Sequence, residues 1–538
     1  MRTRPAISLA TCILLGAVAC SGDKADVVSD PEDGFVIDEG KEDDFLSLKA
    51  REYLVTGTAR VVVEEGAGEA RAKQLLVLKH TSITWFLNQY LVDKEKDLEH
   101  PEHSDPNADY GGFSSMVKDG AFKDLQLKQV NGVTWEFKFE QTIAGKTTLL
   151  RALPLKQGNL FDVEIGKPTN EEMEANVEWY RKDPWDSWDP AKVPASKKET
   201  LTLSIREDKK SSDGWWEYTR LMEDGVLSVD VHFGYDYNKP AAHLTDPPLL
   251  YTWLLDRGFT SPVAKYADYN RASAPLRKKI DAGGKKVTVE VTLFAGRPGT
   301  SNDPDTDAGG KALEADMRES LASKDVIVYS GHSGSLYGFA LANWDKTDEG
   351  DFDDSKLATA KLAKGKYQIV FAEGCNTYML GNTLMNNPNK QGKDIDVIST
   401  TSFSVSFSPV QDFLGRLIEL DSKGRLRPRT MTATIADLDA YTEGEAQMTM
   451  YGIHGIDDNP KLHPFGNLEN TCHTCGANAD CGGVGNACVT VGQSGKRCVA
   501  ACTDDAACGE GFACKKVASA SSATIYGSFC VPANRRCE

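Results

Sequence analysis

The chain contains 538 residues, of which 40% are hydrophobic, and carries a formal net charge of −18. Such a length is enough for about two or three domains, each with its own core. The acidic balance, with a pI near 5.1, argues against nucleic acid as a partner, because phosphate binding needs an excess of lysine and arginine.

The first 20 residues have the organisation of a secretion signal. Arg2 and Arg4 precede the apolar core ISLATCILLGAVA, which is too short to span a bilayer. The ending AVAC resembles a lipobox, and this resemblance implies that Cys20 becomes the lipid-modified first residue of a bacterial lipoprotein. Ala17 stands where leucine is commoner, so ordinary cleavage nearby is the alternative. Because Ser21 follows, the resemblance points to the outer membrane or cell surface, with the lipid as the only membrane contact.

Two segments separate this signal from the middle of the chain. Residues 21–44 are acidic and poor in large apolar side chains, which predicts a disordered linker. Residues 45–223 are predicted to form a β-rich, sandwich-like domain, because ARVVVEE, KQLLVLKH, VTWEFKFEQTIAG, FDVEIG and ETLTLSIRE are rich in β-branched and aromatic residues. We expect Trp179, Trp185 and Trp188 to pin a loop to this domain, with sugar stacking as the alternative.

From about Asp224 apolar strands alternate with helices, which is typical of a βαβ architecture. The predicted strands are GVLSVDVHF, KVTVEVTLFA, VIVYS, YQIVFAEG and DIDVISTTS. The predicted helices are LLYTWLLDRGF, which ends at Gly258, KALEADMRESLA, SKLATAKLA, VQDFLGRLIEL and TIADLDAY. Residues 224–465 are therefore predicted to form one α/β domain with a mainly parallel sheet.

Two of these strands lead into small-residue loops that carry reactive side chains. VIVYS is followed by His332 and YQIVFAEG by Cys375, with a helix between the two strands. A right-handed crossover makes such strands parallel, and reacting groups in open parallel sheets lie beyond the carboxyl ends of the strands. A thiol and an imidazole 43 positions apart in the sequence are thus expected to be neighbours.

The cysteine count also singles out Cys375. Of 13 cysteines, Cys12 and Cys20 belong to the signal and ten lie between Cys472 and Cys537. In an exported protein a single remaining cysteine at a strand end is a candidate nucleophile. The alternative is a buried cysteine that acts as a small hydrophobic residue.

The order of these elements resembles the caspase-like cysteine peptidases of clan CD, which include caspases, legumain, gingipain, clostripain and separase. The resemblance covers about Asp224 to Ala440 and depends on a helix ending in L-x-x-x-G-F, a His loop and a Cys loop, each loop following four apolar residues. Two positions depart from the usual pattern. Ser333 follows the histidine where the family usually has glycine, and Gly374 precedes the cysteine where it often has alanine.

The resemblance implies a cysteine endopeptidase that needs no cofactor. Cys375 would attack the carbonyl of a protein or peptide substrate and form an acyl-enzyme, while His332 acts as acid and then base. The backbone amides of Cys375 and of Ser333 or Gly334 are the expected oxyanion donors. Glu373 and Asp236 are the expected substrate-binding residues, and an acid at Glu373 would favour arginine or lysine at P1. The alternative for Glu373 is a solvated or capping carboxylate.

Calcium is the one metal that the sequence suggests for the central domain. In DPDTDAGGKALE the oxygen-bearing residues Asp303, Asp305, Asp307 and Glu314 take positions 1, 3, 5 and 12 of an EF-hand-like loop. Position 6 is Ala308 rather than glycine. A second acidic loop begins at Asp345, and for both segments the alternative is a solvated loop.

Two other functions fit part of the pattern. GHSGS nearly spells G-x-S-x-G, so a serine hydrolase would use Ser333 with a later aspartate and His454 or His463. That hypothesis leaves Cys375 without a role. The second is a caspase-like scaffold that has lost activity and serves as a surface adhesion or binding protein.

The tail, residues 466–538, is predicted to be a disulfide-rich module that resembles cysteine-rich, EGF-like repeats of bacterial surface proteins. A segment with so few large apolar residues needs cross-links. The expected disulfide cysteines are Cys472, Cys475, Cys481, Cys488, Cys498, Cys502, Cys508, Cys514, Cys530 and Cys537. Zinc bound by CHTC and His473 is the alternative, but an even count in an exported protein favours bridges.

Overall fold

A computed structural model describes most of the chain after the predicted linker. The described residues are 45–99, 114–116, 127–175, 179–186, 188–235, 243–334, 338–390, 393–401, 404, 408–440, 449–466, 468–482, 485–508, 511–518 and 525–537. The predicted signal, the linker, Cys20 and Asp236 lie outside these residues. The described chain is multidomain, with two mixed helix-and-sheet regions and a disulfide-rich region at the carboxyl end.

The N-terminal domain is one antiparallel sheet covered by helices. Its strands are β2 (Ala50–Val62), β3 (Ser114–Met116), β4 (Lys128–Gln129), β5 (Thr134–Lys146), β6 (Leu160–Gly166) and β7 (Lys198–Glu207). Its helices are α1 (Glu69–Glu99), α2 (Leu149–Ala152) and α3 (Asn170–Ala175). The strand order is β3-β5-β2-β7-β6, and β4 also pairs with β5.

The sandwich prediction is wrong for this domain. The segment KQLLVLKH is not a strand but part of the 31-residue helix α1. Helical spacing explains the difference, because the buried apolar positions of α1 recur every three or four residues: Ala72, Leu75, Leu76, Ile83, Phe86, Leu87 and Leu91. A single sheet with a long helix on its face therefore replaces the second sheet.

The tryptophans of this domain are part of its core. Trp179 and Trp185 are buried, and Trp188 lies 4.6 Å from the ring of Phe86 between ring centroids. Phe86 belongs to α1, so these rings pin the 179–188 segment to the helix. This confirms the expected structural role.

The central domain is built around an eight-stranded sheet. Its strands are β1 (Leu46–Ser47), β8 (Val226–Phe233), β9 (Leu276–Ala282), β10 (Lys285–Ala295), β11 (Val326–Ser330), β15 (Gln368–Glu373), β16 (Ile395–Thr400) and β17 (Tyr451–His454). The order is β1-β17-β16-β15-β11-β8-β10-β9. The five strands from β16 to β10 are parallel, and β9 and β17 are antiparallel to their neighbours. The prediction of a mainly parallel sheet is confirmed.

Helices cover both faces of this sheet. They are α4 (Tyr218–Leu221), α5 (Asp246–Asp256), α6 (Asp307–Ser323), α7 (Asp354–Thr359), α8 (Tyr378–Met385), α9 (Ser408–Leu417) and α10 (Met431–Leu438). Apolar residues of α5, α9 and α10 pack on one face, and those of α6, α7 and α8 on the other. Every residue of β11, β15 and β16 is buried, which is why these strands are continuous apolar runs rather than alternating ones.

A small three-stranded sheet interrupts the crossover from β11 to β15. It consists of β12 (Ser333–Gly334), β13 (Gly338–Ala340) and β14 (Asp351–Phe352). The sequence did not indicate it, because each strand is only two or three residues long. The predicted helix between β11 and β15 is accordingly shorter, since α7 ends at Thr359 rather than reaching Ala363.

The two domains share the start of the described chain. In β1, Leu46 and Ser47 pair with Ile453 and Gly452 of β17, so this segment extends the central sheet. The chain then enters β2 of the N-terminal sheet. The predicted boundary at residue 45 therefore misses a two-residue strand that belongs to the other domain.

The C-terminal module contains the five predicted disulfides. They join Cys472 to Cys537, Cys475 to Cys488, Cys481 to Cys498, Cys502 to Cys514 and Cys508 to Cys530. All ten sulfurs are paired, whereas zinc would need thiolates. Within each set of four consecutive cysteines, from Cys475 and from Cys502, the first pairs with the third and the second with the fourth.

This disulfide pattern coincides with a structural repeat. Each set of cysteines accompanies one hairpin, β18 (Ala487–Thr490) with β19 (Lys496–Ala501) and β20 (Phe512–Ala518) with β21 (Ile525–Pro532). The hairpins join through antiparallel pairing of β19 and β21. Cys472–Cys537 links the two ends of the array. The module is thus a duplicated unit held by cross-links.

The module is attached at the amino ends of the parallel strands. Phe465 packs over Gly283, in the turn that precedes β10. His463, two residues earlier, accepts a 2.8 Å hydrogen bond at its carbonyl from Asn470, which also donates to the carbonyl of Cys481. A disulfide-rich module is typical of an exported protein. Among the described residues no helix is both long enough and apolar enough to cross a membrane.

A buried lysine holds the connections around β15 together. Lys390 is 3% exposed, and its ammonium donates to the carbonyls of Ala363, Lys366 and Asp394 at 2.7, 2.6 and 3.3 Å. We expect Lys390→Met to lower the free energy of unfolding by about 2 kcal/mol, because three carbonyls lose their donor. Urea unfolding measures this, with Lys393→Met, at an exposed position, as the control. Equal midpoints for the two variants would contradict the prediction.

Candidate active site

The pairing of β11 with β15 brings the loops of the two predicted catalytic residues to adjacent strand ends. Ser330 is paired with Glu373, and the amide of Gly331 donates to the carbonyl of Glu373 at 3.1 Å. His332 and Cys375 each follow this last registered pair by two residues. Neighbouring strands lie about 4.8 Å apart, so both residues emerge together at the carboxyl ends of adjacent strands. Both are half-buried.

The two loops are locked to each other by Ser333 and Gly374. The Ser333 hydroxyl donates to the carbonyl of Cys375 at 2.6 Å. A Cβ atom at residue 374 would lie 2.3 Å from Ser333 Oγ and 2.8 Å from the carbonyl oxygen of Gly331. Glycine is therefore required here, and Ser333 fills the space. The two departures from the caspase-like pattern thus compensate each other sterically.

The loop that carries Cys375 is fixed by further contacts to the strands. The hydroxyl of Thr400 donates to the carbonyl of Gly374, and the hydroxyl of Thr377 donates to that of Ala372 at 2.8 Å. The Thr377 hydroxyl also accepts from the amide of Thr400 at 2.9 Å. Asn376 adopts a left-handed conformation with φ 54°, which asparagine tolerates better than most residues. Helix α8 then begins at Tyr378, so Cys375 lies just before a helix N-terminus.

Cys375 is the one cysteine outside the disulfides among the residues that the structure describes. Ser333 and Gly334, the predicted second oxyanion donors, form β12 and pair with β13. The Ser333 hydroxyl joins this strand to the Cys375 loop. Their role as oxyanion donors stays a prediction.

Glu373 is a buried carboxylic acid at the end of β15, two residues before Cys375. It belongs to a row of registered residues that share one face of the sheet, and the row also contains Ser330, Thr400 and Tyr451. Among the described residues, neither carboxyl oxygen has a partner at good hydrogen-bond geometry. Burial raises the pKa of Glu373 to about 8, partly opposed by the nearby hydroxyls of Ser404 and Tyr451. The group is therefore neutral at pH 7, and its contact with substrate stays a prediction.

The predicted calcium ligands do not converge. Each carboxylate has its own partner: amides of Gly299 and Asp305 for Asp303, Asn343 for Asp305, Thr347 for Asp307, and Lys356 with the amide of Gly350 for Glu314. Thr306 caps α6, so from Asp307 onward this segment is helix and does not form the predicted ion-binding loop. Within the described residues, the groups of three potential ligands that do converge consist of disulfide cysteines.

The residues of the serine hydrolase hypothesis are not brought together. Ser333 is 4% exposed, donates its hydroxyl to Cys375 and is followed by a hairpin instead of the helix of a nucleophile elbow. His454 is fully buried in β17. His463 lies next to Phe465, at the opposite end of the sheet.

Sequence reasoning missed the side chains that hold the Cys375 loop. Thr377, Thr400 and the hydroxyl of Ser333 carry no local signal, because each acts through a contact with a distant segment. The glycine before Cys375 is the exception, since it marks a close approach of two backbones.

Comparison with known proteins identifies no matching protein-family model, no matching curated protein and no matching solved structure. Function is therefore inferred from the site itself.

Proposed function

We propose that this protein is an exported cysteine endopeptidase of caspase-like architecture, with Cys375 as nucleophile and His332 as general acid and base. The observation that supports it is the parallel pairing of β11 with β15 up to Ser330 and Glu373, because His332 and Cys375 follow these paired strand ends by two residues each. A mainly parallel sheet with helices on both faces supports this proposal, because its reacting groups belong at that edge.

The proposed reaction proceeds in two steps. The Cys375 thiolate attacks the substrate carbonyl carbon, the carbon–nitrogen bond breaks, and His332 gives a proton to the departing amine. Water, deprotonated by His332, then hydrolyses the thioester and releases the thiol. The N-terminus of α8, three residues after Cys375, favours the thiolate form. The amides of Cys375 and of Ser333 or Gly334 stabilise the oxyanion.

The proposed substrate is a polypeptide with arginine or lysine at P1. Glu373 supports this proposal because it precedes Cys375 by two residues and carries a buried carboxyl. A substrate cation beside this group stabilises its ionised form, so binding of a basic P1 side chain releases a proton near neutral pH. A lipid anchor at Cys20 is part of the proposed location, and the disulfide module supports export.

Alkylation of Cys375 tests the proposal directly. Wild-type protein, Cys375→Ala, His332→Ala and His473→Ala would be labelled with limiting iodoacetamide from pH 5 to 9. His473→Ala is the matched control, because His473 is an exposed histidine of the disulfide module. We expect rapid labelling at pH 6 that disappears in Cys375→Ala, falls about tenfold or more in His332→Ala, and is unchanged in the control.

A peptide screen with arginine, lysine, asparagine and aspartate at P1 then measures turnover. Labelling of wild type no faster than that of an exposed model thiol would exclude the peptidase proposal and favour an inactive binding scaffold. Rapid labelling together with cleavage only after uncharged residues would support the peptidase proposal and exclude Glu373 as the residue that binds a basic P1 side chain.

A further inference from the structure

Helix α8, which directly follows the nucleophile, is held by both domains. Leu380 and Leu384 on one side of α8 are buried against the central sheet. Tyr378, its first residue, instead joins a fully buried cluster between the domains. The other members of this cluster are Phe45, Ala50, Ala144 and Met450. Of these, Ala50 and Ala144 belong to strands β2 and β5 of the N-terminal sheet.

A buried hydrogen bond reinforces this contact. The Tyr378 hydroxyl donates to the carboxylate of Glu52 on β2, across 326 positions of sequence. Tyr378 is 0% exposed and Glu52 is 1% exposed. The ring of Tyr378 also packs edge-on against Phe45, with the ring centroids 5.2 Å apart. The first turn of α8 is therefore fixed by both a polar and an aromatic contact.

Phe45 itself has no room to move. A Cβ atom at Gly452 on β17 would lie 1.8 Å from the Phe45 ring. The ring of His454 lies 4.9 Å from it on the same strand. Phe45 therefore fixes Tyr378 relative to β17 of the central sheet.

We infer that Glu52, on β2 of the N-terminal sheet, and Phe45, just before β1, are positioning residues for Cys375 that act through Tyr378. Only Asn376 and Thr377 separate Cys375 from Tyr378. Thr377 is bound to β15 and β16, so a shift of the first turn of α8 acts on the Cys375 loop. The N-terminal domain is thus a structural part of the active site. This inference deepens the proposed function and rests on it for the role of Cys375.

Four variants of the full chain test this inference. Tyr378→Phe removes the donor, Glu52→Leu removes the acceptor, and Glu52→Gln keeps an acceptor oxygen at the same place. The matched control is Tyr53→Phe, because Tyr53 is equally buried in β2 but donates its hydroxyl to Lys146 within the N-terminal domain. The readouts are the iodoacetamide labelling rate of Cys375 across pH 5 to 9 and amide hydrogen exchange in α8. Urea unfolding verifies that each variant is folded.

We expect Tyr378→Phe and Glu52→Leu to slow labelling about tenfold and to speed exchange in α8. Glu52→Gln should recover to within about twofold of wild type, and Tyr53→Phe should match wild type in both readouts. Labelling and exchange in Tyr378→Phe that equal those of Tyr53→Phe would overturn the inference.

The same experiment separates this inference from the proposed function. If wild-type Cys375 labels as slowly as a model thiol, the peptidase proposal fails, and a positioning role for Glu52 fails with it. If wild type labels rapidly and only Tyr378→Phe and Glu52→Leu slow down, both stand. If wild type labels rapidly and all four variants keep that rate, the peptidase proposal stands and the positioning role is rejected.

Discussion

Gly374→Ala is expected to slow alkylation of Cys375 about a hundredfold, the order expected for a displacement of about 1 Å. The added methyl would lie 2.3 Å from Ser333 Oγ and 2.8 Å from the carbonyl oxygen of Gly331. Serine can rotate away only by giving up its hydrogen bond to Cys375, and the Gly331 carbonyl is backbone. The Cys375 loop therefore has to move away from His332.

Ser333→Gly in the same chain should restore part of the rate. It removes the closest contact and leaves the 2.8 Å contact to Gly331. Ser333→Gly alone should slow labelling only severalfold, because it loses one hydrogen bond without a clash. The measurement is a double-mutant cycle on labelling rates. Gly132→Ala, at an exposed site with nothing near its Cβ position, is the control. A double mutant no faster than Gly374→Ala would show that the clash with Ser333 is not the cause.

Glu373→Gln is expected to increase stability at alkaline pH and to change it little at acid pH. Below about pH 4.5 the carboxyl is protonated in both the folded and the unfolded chain. Above that pH the unfolded chain ionises first, whereas the buried group keeps its proton up to about pH 8. Wild type therefore loses stability as the pH rises between these values, at about 1.4 kcal/mol per pKa unit of the shift. Glutamine has the shape of the neutral acid and does not titrate.

Urea unfolding at pH 5, 6, 7 and 8 measures this difference. The gap between variant and wild type should grow steadily with pH and reach several kcal/mol at pH 8. Burial also raises the pKa of Asp439 to about 7. Asp439 affects the stability of wild type and variant equally, so the difference between the two proteins measures the titration of Glu373. Glu171→Gln, at an exposed position of α3, should run parallel to wild type. A constant gap for Glu373→Gln would mean that the buried carboxyl does not titrate in this range.

The sequence predicts the central domain well because its strands are buried on both faces. Runs such as VIVYS and QIVFAE have no polar face, and short loops and capped helices separate them. The N-terminal domain shows the limit of the same reasoning. QLLVL within α1 is too short a run to distinguish strand from helix, and only the spacing from Ala72 to Leu91 identifies the helix.

The candidate site also has a part that the sequence predicts and a part that it does not. The position of Cys375 and His332 after adjacent parallel strands could be predicted, because each follows a continuous apolar run. The contacts that hold them could not, because Ser333 reaches Cys375 and Tyr378 reaches Glu52 through the tertiary fold. The segment predicted to bind calcium, residues 303–314, is not a continuous loop, because Thr306 caps α6 and the residues from Asp307 onward are helical.

The attachment of the C-terminal module gives the molecule two poles. The module lies at the amino ends of the parallel strands, where Phe465 packs over Gly283 in the turn before β10. Cys375 and His332 lie at the other pole. A support that holds the protein by this module therefore leaves the end that carries Cys375 and His332 pointing outward, into the surrounding medium.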